Sequence, residues 1–321
     1  MIGALARCEE AALRLAGDEP PYPPIFVLGA PRSGTTAMFL TFVNSYRLSY
    51  FPNLSDYVPR LPVSAAIAGW VLTHYRPTFR QRFGVVDQPL GPSDGWNIFH
   101  RWFDRDYEES IEPSRFRHLQ RLVTTFEHLF RAPFCVRHNL SSIRVRHLLK
   151  LFPRAVFPAI FRDFREAAVS LAEAYRVHDV SVDRWWSAGP PECDFLDFES
   201  PLEKAVYQVL GVEAIMRRDL EHVPDGRSIL VSYRQFCEDP GAVRAWAEEV
   251  FHRSDAPLRK RDGYEAVPGH INRSSRLADS VKESAGELEK YYRHFLEGRH
   301  LTSRQVLTDP LRHSVQPHIS L

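Results

Sequence analysis

PIFVLGAPRSGTTAMFLTF, residues 24–42, decides the fold. Ile25 to Leu28 is a short apolar run of buried-strand type. A glycine-rich loop follows, and a helix is expected to open near Thr35. Strand, loop and helix in that order bring backbone N–H groups and a positive helix end to one point, which suits a bound phosphate. Gly29 and Gly34 have the G-x-x-x-x-G spacing of a P-loop, and Thr36 fills its Ser/Thr slot. The lysine slot holds Thr35, and the cation stands earlier, at Arg32. NTPases use that lysine on the β- and γ-phosphates, so ordinary ATP or GTP chemistry is disfavoured.

The chain outside this stretch alternates strands and helices. Strands are expected at 134–137, 155–161 and 228–233, and helices at 2–16, 64–83, 114–131, 142–152, 164–176, 201–222 and 240–251. That alternation predicts an α/β fold, a parallel sheet with helices on both faces. Asp163 with Glu166, and Ser200 with Pro201 and Glu203, read as capping boxes. Residues 50–110 show no clear strands and read as a mostly helical insertion over the nucleotide end of the sheet. Its tryptophans serve either as core or as walls of an acceptor pocket. Residues 1–23 form a helix and a proline-rich lead, and 300–321 a polar, loosely held tail, within one domain of 321 residues.

Composition narrows the function classes. Hydrophobic residues make up 44% of the chain, enough for a full core. With 41 basic and 40 acidic residues the formal charge is +1, which argues against a bulk nucleic-acid or polybasic membrane role. Four scattered cysteines form no C-x-x-C pair, and fourteen histidines include no H-E-x-x-H, so no metal site or disulfide framework is expected. The charged N-terminus is unlike a signal peptide, and no segment reaches the apolar length of a membrane span. A cytoplasmic protein is the expectation.

PRSGTT resembles the 5′-phosphosulfate loop of sulfotransferases, the family that uses 3′-phosphoadenosine 5′-phosphosulfate (PAPS) and releases 3′,5′-adenosine bisphosphate (PAP). The resemblance spans roughly residues 24–275. Within PRSGTT it implies donor contacts from Arg32, Ser33, Gly34, Thr35 and Thr36. AVFPAIFRDFREAAVSL, residues 155–171, is similar to the family's 3′-phosphate segment, with Arg162 and Ser170 at the family spacing and Phe164 where proline is usual. Read as bare residues, Arg162 pairs with Asp163 or Glu166, and Ser170 bonds back to its own helix. SILVSYRQFCEDPGAVRAWAEEVF, residues 228–251, resembles a late strand and helix that would put Tyr233 by the adenine; a core aromatic is the other reading. GHINRSSRL, residues 269–277, offers Arg273 and Ser274 for the 3′-phosphate, or a solvated loop.

LGPSDGWNIFHRWF, residues 90–103, resembles a bacterial sulfotransferase segment in which a glutamate falls at Asp94. Asp94 is thus the first choice of general base, its other reading being a helix cap before Trp96. His138 and His100 are the next choices, and Arg137 stands where relatives often have lysine. The resemblance implies sulfuryl transfer from PAPS, without a metal, to a hydroxyl of a small-molecule, carbohydrate or lipid-linked acceptor. A nucleotide kinase and a non-catalytic nucleotide-binding protein are the alternatives. The oligomeric state is open, with a homodimer among the options.

Overall fold

The computed structural model describes residues 2–72, 78, 86–100, 113–194, 196–261 and 275–297. In chain order it comprises α1 (Ile2–Ala16), β1 (Ile25–Phe26), α2 (Thr35–Ser45), α3 (Asn53–Tyr57), α4 (Pro62–Leu72), α5 (Trp96–Phe99) and α6 (Pro113–Phe130). Next come β2 (Cys135–Val136), a 3₁₀ turn at Asn139–Ile143, α7 (Val145–Leu151), β3 (Phe157–Phe161) and α8 (Phe164–Val177). The chain continues through a second 3₁₀ turn (Pro191–Cys193), α9 (Pro201–Leu220), β4 (Ser228–Ser232), α10 (Tyr233–Glu238), α11 (Pro240–Arg253), α12 (Ser275–Glu283) and α13 (Ala285–Glu297).

The strands are parallel. β1 pairs with β2, β3 pairs with β4, and bridges Ile25–Val156 and Leu28–Ala159 join the two pairs. The spatial order is therefore β2-β1-β3-β4. Successive strand residues point to opposite faces, and the core divides accordingly. Phe26, Leu28, Phe157 and Ala159 pack with α6 to α9, whereas Ile25, Val27, Val156 and Ile160 pack with α2 and α11. Helices thus cover both faces, as the α/β reading expects.

Several local expectations are corrected. The helix expected over 142–152 is split, because Arg144 leaves the helical region at φ −136° and the 3₁₀ turn before it brings Ser142 against Gly29. Asp163 caps α8 through the N–H of Arg165, but Glu166 does not complete the box; its carboxylate binds Arg162 instead. Ser200 caps α9, and Glu203 accepts from the N–H of Glu199 rather than that of Ser200. β4 stops at Ser232, which forms a reciprocal capping box with Gln235 and opens α10. In the 50–110 stretch α3, α4 and α5 are helices, and residues 73–77, 79–85 and 101–112 lie outside the described residues.

α1 has a definite task. The buried Glu9 carboxylate accepts from the N–H groups of Val63 and Ser64 at 2.7 and 2.8 Å and from Ser64 Oγ at 2.6 Å, so it caps α4 from another helix. An uncapped, buried helix start costs roughly 1–2 kcal/mol, more when several donors lose their acceptor. Glu9→Ala is expected to lower stability by about 2 kcal/mol in urea unfolding, and an unchanged midpoint would contradict this role for α1.

Candidate active site

The loop after β1 is set by close approach. Gly29 N–H donates to Ser142 Oγ at 2.9 Å, and that hydroxyl donates back to Gly29 O at 3.0 Å. A Cβ on Gly29 would lie 2.6 Å from Ile160 O, so β1 and β3 approach this closely only around glycine. The loop then turns through two left-handed residues, Arg32 at φ 67° and Gly34 at φ 106°. α2 starts at Thr35 with no side-chain cap. Its first N–H groups lack helical partners and form its positive end. Thr35, Thr36 and Ala37 sit there, on the wall of a cleft of about 1080 Å³. Ser33 turns inward and is buried.

Three arginines reach this cleft from three different strand ends: Arg32 after β1, Arg137 after β2 and Arg162 after β3. Arg32 Nε donates to Ser170 Oγ on α8 at 3.0 Å. Ser170 therefore faces the loop rather than its own helix. Arg162 Nε donates to Glu166 at 2.7 Å, and its guanidinium lies 4.9 Å from the centre of the Tyr233 ring. The ion pair with Glu166 is thus present, and it leaves Arg162 on the cleft wall. Burial, then Arg162, then Arg137 hold the Arg32 guanidinium below its ordinary value. Arginine stays charged under such shifts, so the cleft concentrates positive charge.

Arg137 is buried, and its guanidinium donates to Asp94 Oδ2 at 3.3 Å. Asp94 Oδ1 accepts from Trp96 N–H at 3.1 Å, so one carboxylate both holds the turn that leads into α5 and faces an arginine. Behind it, Asp56 accepts from the N–H groups of Asn97 and Ile98. Burial, then the neighbouring Asp94 charge, push Asp56 up to about 6. His138 is placed differently. It is 1% exposed, stacks on Phe99 at 4.5 Å and is not in the cleft wall. Burial drives its pKa well below the ordinary histidine value, so it is neutral. His100 packs edge-on against Trp96.

The far wall of the cleft carries Trp185 and Trp186, held from behind by α8 and α9. Trp186 N–H donates to Tyr175 Oη at 3.0 Å, and Gln208 Nε2 donates to Trp186 O at 2.8 Å and to Ala188 O at 2.5 Å. Gln208 Oε1 accepts from Tyr175 Oη at 2.8 Å. The Lys204 ammonium donates to Val182 O and lies 4.1 Å from the Trp185 ring centre. Gln208→Leu strands two carbonyls and a phenol. At roughly 1–3 kcal/mol for a buried group left unsatisfied, a loss of about 3 kcal/mol is expected in urea unfolding, with PAP affinity unchanged. A silent variant would mean that water replaces the amide.

The structure therefore brings Arg32, Gly34, Thr35, Thr36, Asp94, Arg162, Ser170 and Tyr233 to one cleft. Arg273 and Ser274 lie outside the described residues. Sequence reasoning missed Asn139 and the face of α12 (Leu277, Ser280, Glu283). For α12 and α13 a signal existed: Leu277, Val281, Leu288, Tyr291, Tyr292 and Phe295 recur at helical spacing and pack on the core.

The chain is similar in fold to a solved structure. Sulfotransferase STF9 from Mycobacterium avium superposes with a TM-score of 0.55 at 15% identity, over 94% of this chain and 82% of that one. For sulfotransferase STF1 from Mycobacterium tuberculosis the TM-score is 0.47 at 13% identity, over 91% of this chain and 81% of that one. The first likeness speaks for the fold. No curated protein matches the chain. A model of the sulfotransferase family matches residues 23–245, from the lead into β1 as far as α11. That span holds the P-loop-like turn, all three arginines, Asp94 and Tyr233, and the chain belongs to the sulfotransferase family.

Proposed function

We propose that the chain transfers a sulfuryl group from PAPS to a hydroxyl of a small-molecule acceptor, a natural product, glycoside or glycolipid, with Asp94 as the base. The observation that carries this reading is the convergence of Arg32, Arg137 and Arg162 on an uncapped helix start. A donor with phosphates at both the 5′ and 3′ positions matches two separate cationic points. Arg32 and the N–H groups at the start of α2 fit the 5′ end. Arg162 and Ser170 fit the 3′-phosphate, and the Tyr233 ring fits the adenine. Arg162 can exchange its bond to Glu166 for a phosphate, since charge-assisted forks favour phosphate strongly.

PAPS supplies the activated sulfuryl group. Asp94 takes the proton from the acceptor hydroxyl, and its bonds to Trp96 N–H and Arg137 fix where that oxygen points. With the donor bound, Arg32 would stabilise the charge that collects on the leaving 5′-phosphate, the kind of preorganised electrostatic stabilisation that lowers barriers most. Arg137, paired with Asp94 on the cleft wall, would neutralise charge on the transferring group. His138, neutral and behind the wall, has no part in this scheme. Trp96, Trp185 and Trp186 give the acceptor end flat apolar surfaces, suited to a ring or a sugar face.

Thermal melting separates this reading from its alternatives. At a hundredfold excess over Kd a ligand stabilises by about 2.7 kcal/mol. PAP is expected to raise the melting temperature accordingly, and 5′-AMP, which lacks the 3′-phosphate, much less. Equal shifts would remove the 3′-phosphate role of Arg162 and Ser170. A larger shift with ATP and magnesium would favour a kinase.

A further inference from the structure

Behind Trp185 lies a second cavity, of about 200 Å³, and Arg184, Trp185 and Ser187 belong both to its wall and to that of the cleft. Trp185 is the partition. Its Nε1–H donates to Asp194 Oδ1, and a Cβ on Gly189 would lie 2.3 Å from the ring, so the indole is seated on backbone and held at its edge. Lys204 lines the second cavity and is only 2% exposed. Its ammonium has three donors and a single oxygen partner, Val182 O; its other neighbours are the rings of Trp185 and Phe198, centred 4.1 and 5.2 Å away. No carboxylate among the described residues forms an ion pair with it. Buried charges are ordinarily paired, because an unpaired one gives up its hydration for nothing. We propose that the cavity behind Trp185 takes an anionic group of the acceptor, of carboxylate size, and that Lys204 selects for it.

The surroundings favour an anion over other occupants. Burial pushes the Lys204 pKa down to about 8, against the pull of Asp183 and Asp194. Lys204 also stands near the start of α9, where the helix adds positive potential. A cation would meet the ammonium in the aromatic box it already fills, and a neutral group would leave the charge unpaired. The two carboxylates on the wall oppose an anion weakly. Asp194 is engaged by Trp185 Nε1, and both it and Asp183 are exposed to water and ions, which screen them. Arg184, with no ion pair among the described residues, offsets one of them.

The inference rests on the reading that the acceptor lies in the cleft, and it narrows the acceptor to a hydroxyl compound that carries a carboxylate or a similar anion. Such a molecule, lying along Trp185, would keep its hydroxyl in the cleft and its charge against Lys204. The selection by Lys204 does not depend on the identity of the donor.

The test is calorimetric titration of the whole chain, with and without saturating PAP, using three phenols of similar size: anionic 3-(4-hydroxyphenyl)propionate, neutral 4-propylphenol and cationic tyramine. The propionate is expected to bind at least about tenfold more tightly than 4-propylphenol, since hydrogen bonds between charged groups are the strong ones, and tyramine least tightly. Lys204→Met keeps an unbranched stem and removes the charge. It is expected to erase the advantage of the anion while leaving the affinities for 4-propylphenol and PAP in place; a lysine that only supported the wall would weaken all three phenols alike. Equal affinities in the wild type, no binding of the propionate, or a preference that survives Lys204→Met would each overturn the proposal. The wild-type comparison decides even if the variant does not fold. Failure of PAP to bind the wild type would strike the donor reading alone, and the titrations without PAP would still judge Lys204.

Discussion

Gly34→Ala is expected to weaken PAP binding about 100-fold, equivalent to roughly 2.7 kcal/mol, while leaving most of the core intact. Two causes add. Gly34 sits at φ 106°, outside the range that a residue with a side chain adopts without strain, at a cost of order 1–3 kcal/mol. The new Cβ would also lie 2.3 Å from Cδ2 of the Tyr233 ring. Either the ring moves, carrying away the surface over which Arg162 lies at 4.9 Å, or the loop moves and takes the N–H groups of Thr35 and Thr36 with it. Both routes damage the cleft and not the sheet. Calorimetric titration of the variant with PAP reads the loss directly. Affinity within a few-fold of wild type would mean that neither Tyr233 nor the start of α2 meets the nucleotide.

Asp94→Asn is the second large effect. The amide oxygen can still accept from Trp96 N–H, so the start of α5 is retained. What disappears is the charge beside Arg137 and the ability to accept a proton. General-base removal costs about 10²–10⁴ in rate, so with Asp94 as the proposed base kcat is expected to fall by that factor on any acceptor found for the wild-type chain. The Kd for PAP should stay as it was, because the proposed donor contacts do not include Asp94. Full turnover in the variant would move the base elsewhere and leave the donor site untouched. A parallel loss of PAP affinity would instead mean that the Asp94–Arg137 pair shapes the donor end.

The sheet and its helices were legible because their signals are local. A buried run such as IFVL, a proline at the first turn of α9 and Asp239 before Pro240 each fix an element within a few residues. The P-loop-like turn was legible for the same reason: strand, glycines and helix start are contiguous. What the sequence did not disclose depends on contacts across the fold. Glu166 fits a capping box by spacing, yet a charged neighbour one helical turn away, Arg162, outcompetes the backbone N–H. His138 is a plausible base by residue type, and only packing against Phe99 removes it from the cleft. Glu9 gave no hint of its task, because its partners Val63 and Ser64 are far along the chain. The cationic convergence itself was only half visible: Arg32 and Arg162 stood in recognisable segments, but the burial of Arg137 against Asp94 is a product of tertiary structure.

The central claim is a donor with phosphates at both ends of its ribose, held by Arg32 at one point and Arg162 at the other. Isothermal calorimetry with PAP and with ATP–magnesium, on the wild-type chain and on Arg162→Ala, tests it most directly. A charge-assisted hydrogen bond contributes about 1.5–3 kcal/mol. The expected result is PAP binding that Arg162→Ala weakens by roughly 10- to 100-fold, with ATP weak on both proteins. ATP binding as tight as PAP, or PAP binding that ignores Arg162, would contradict the account.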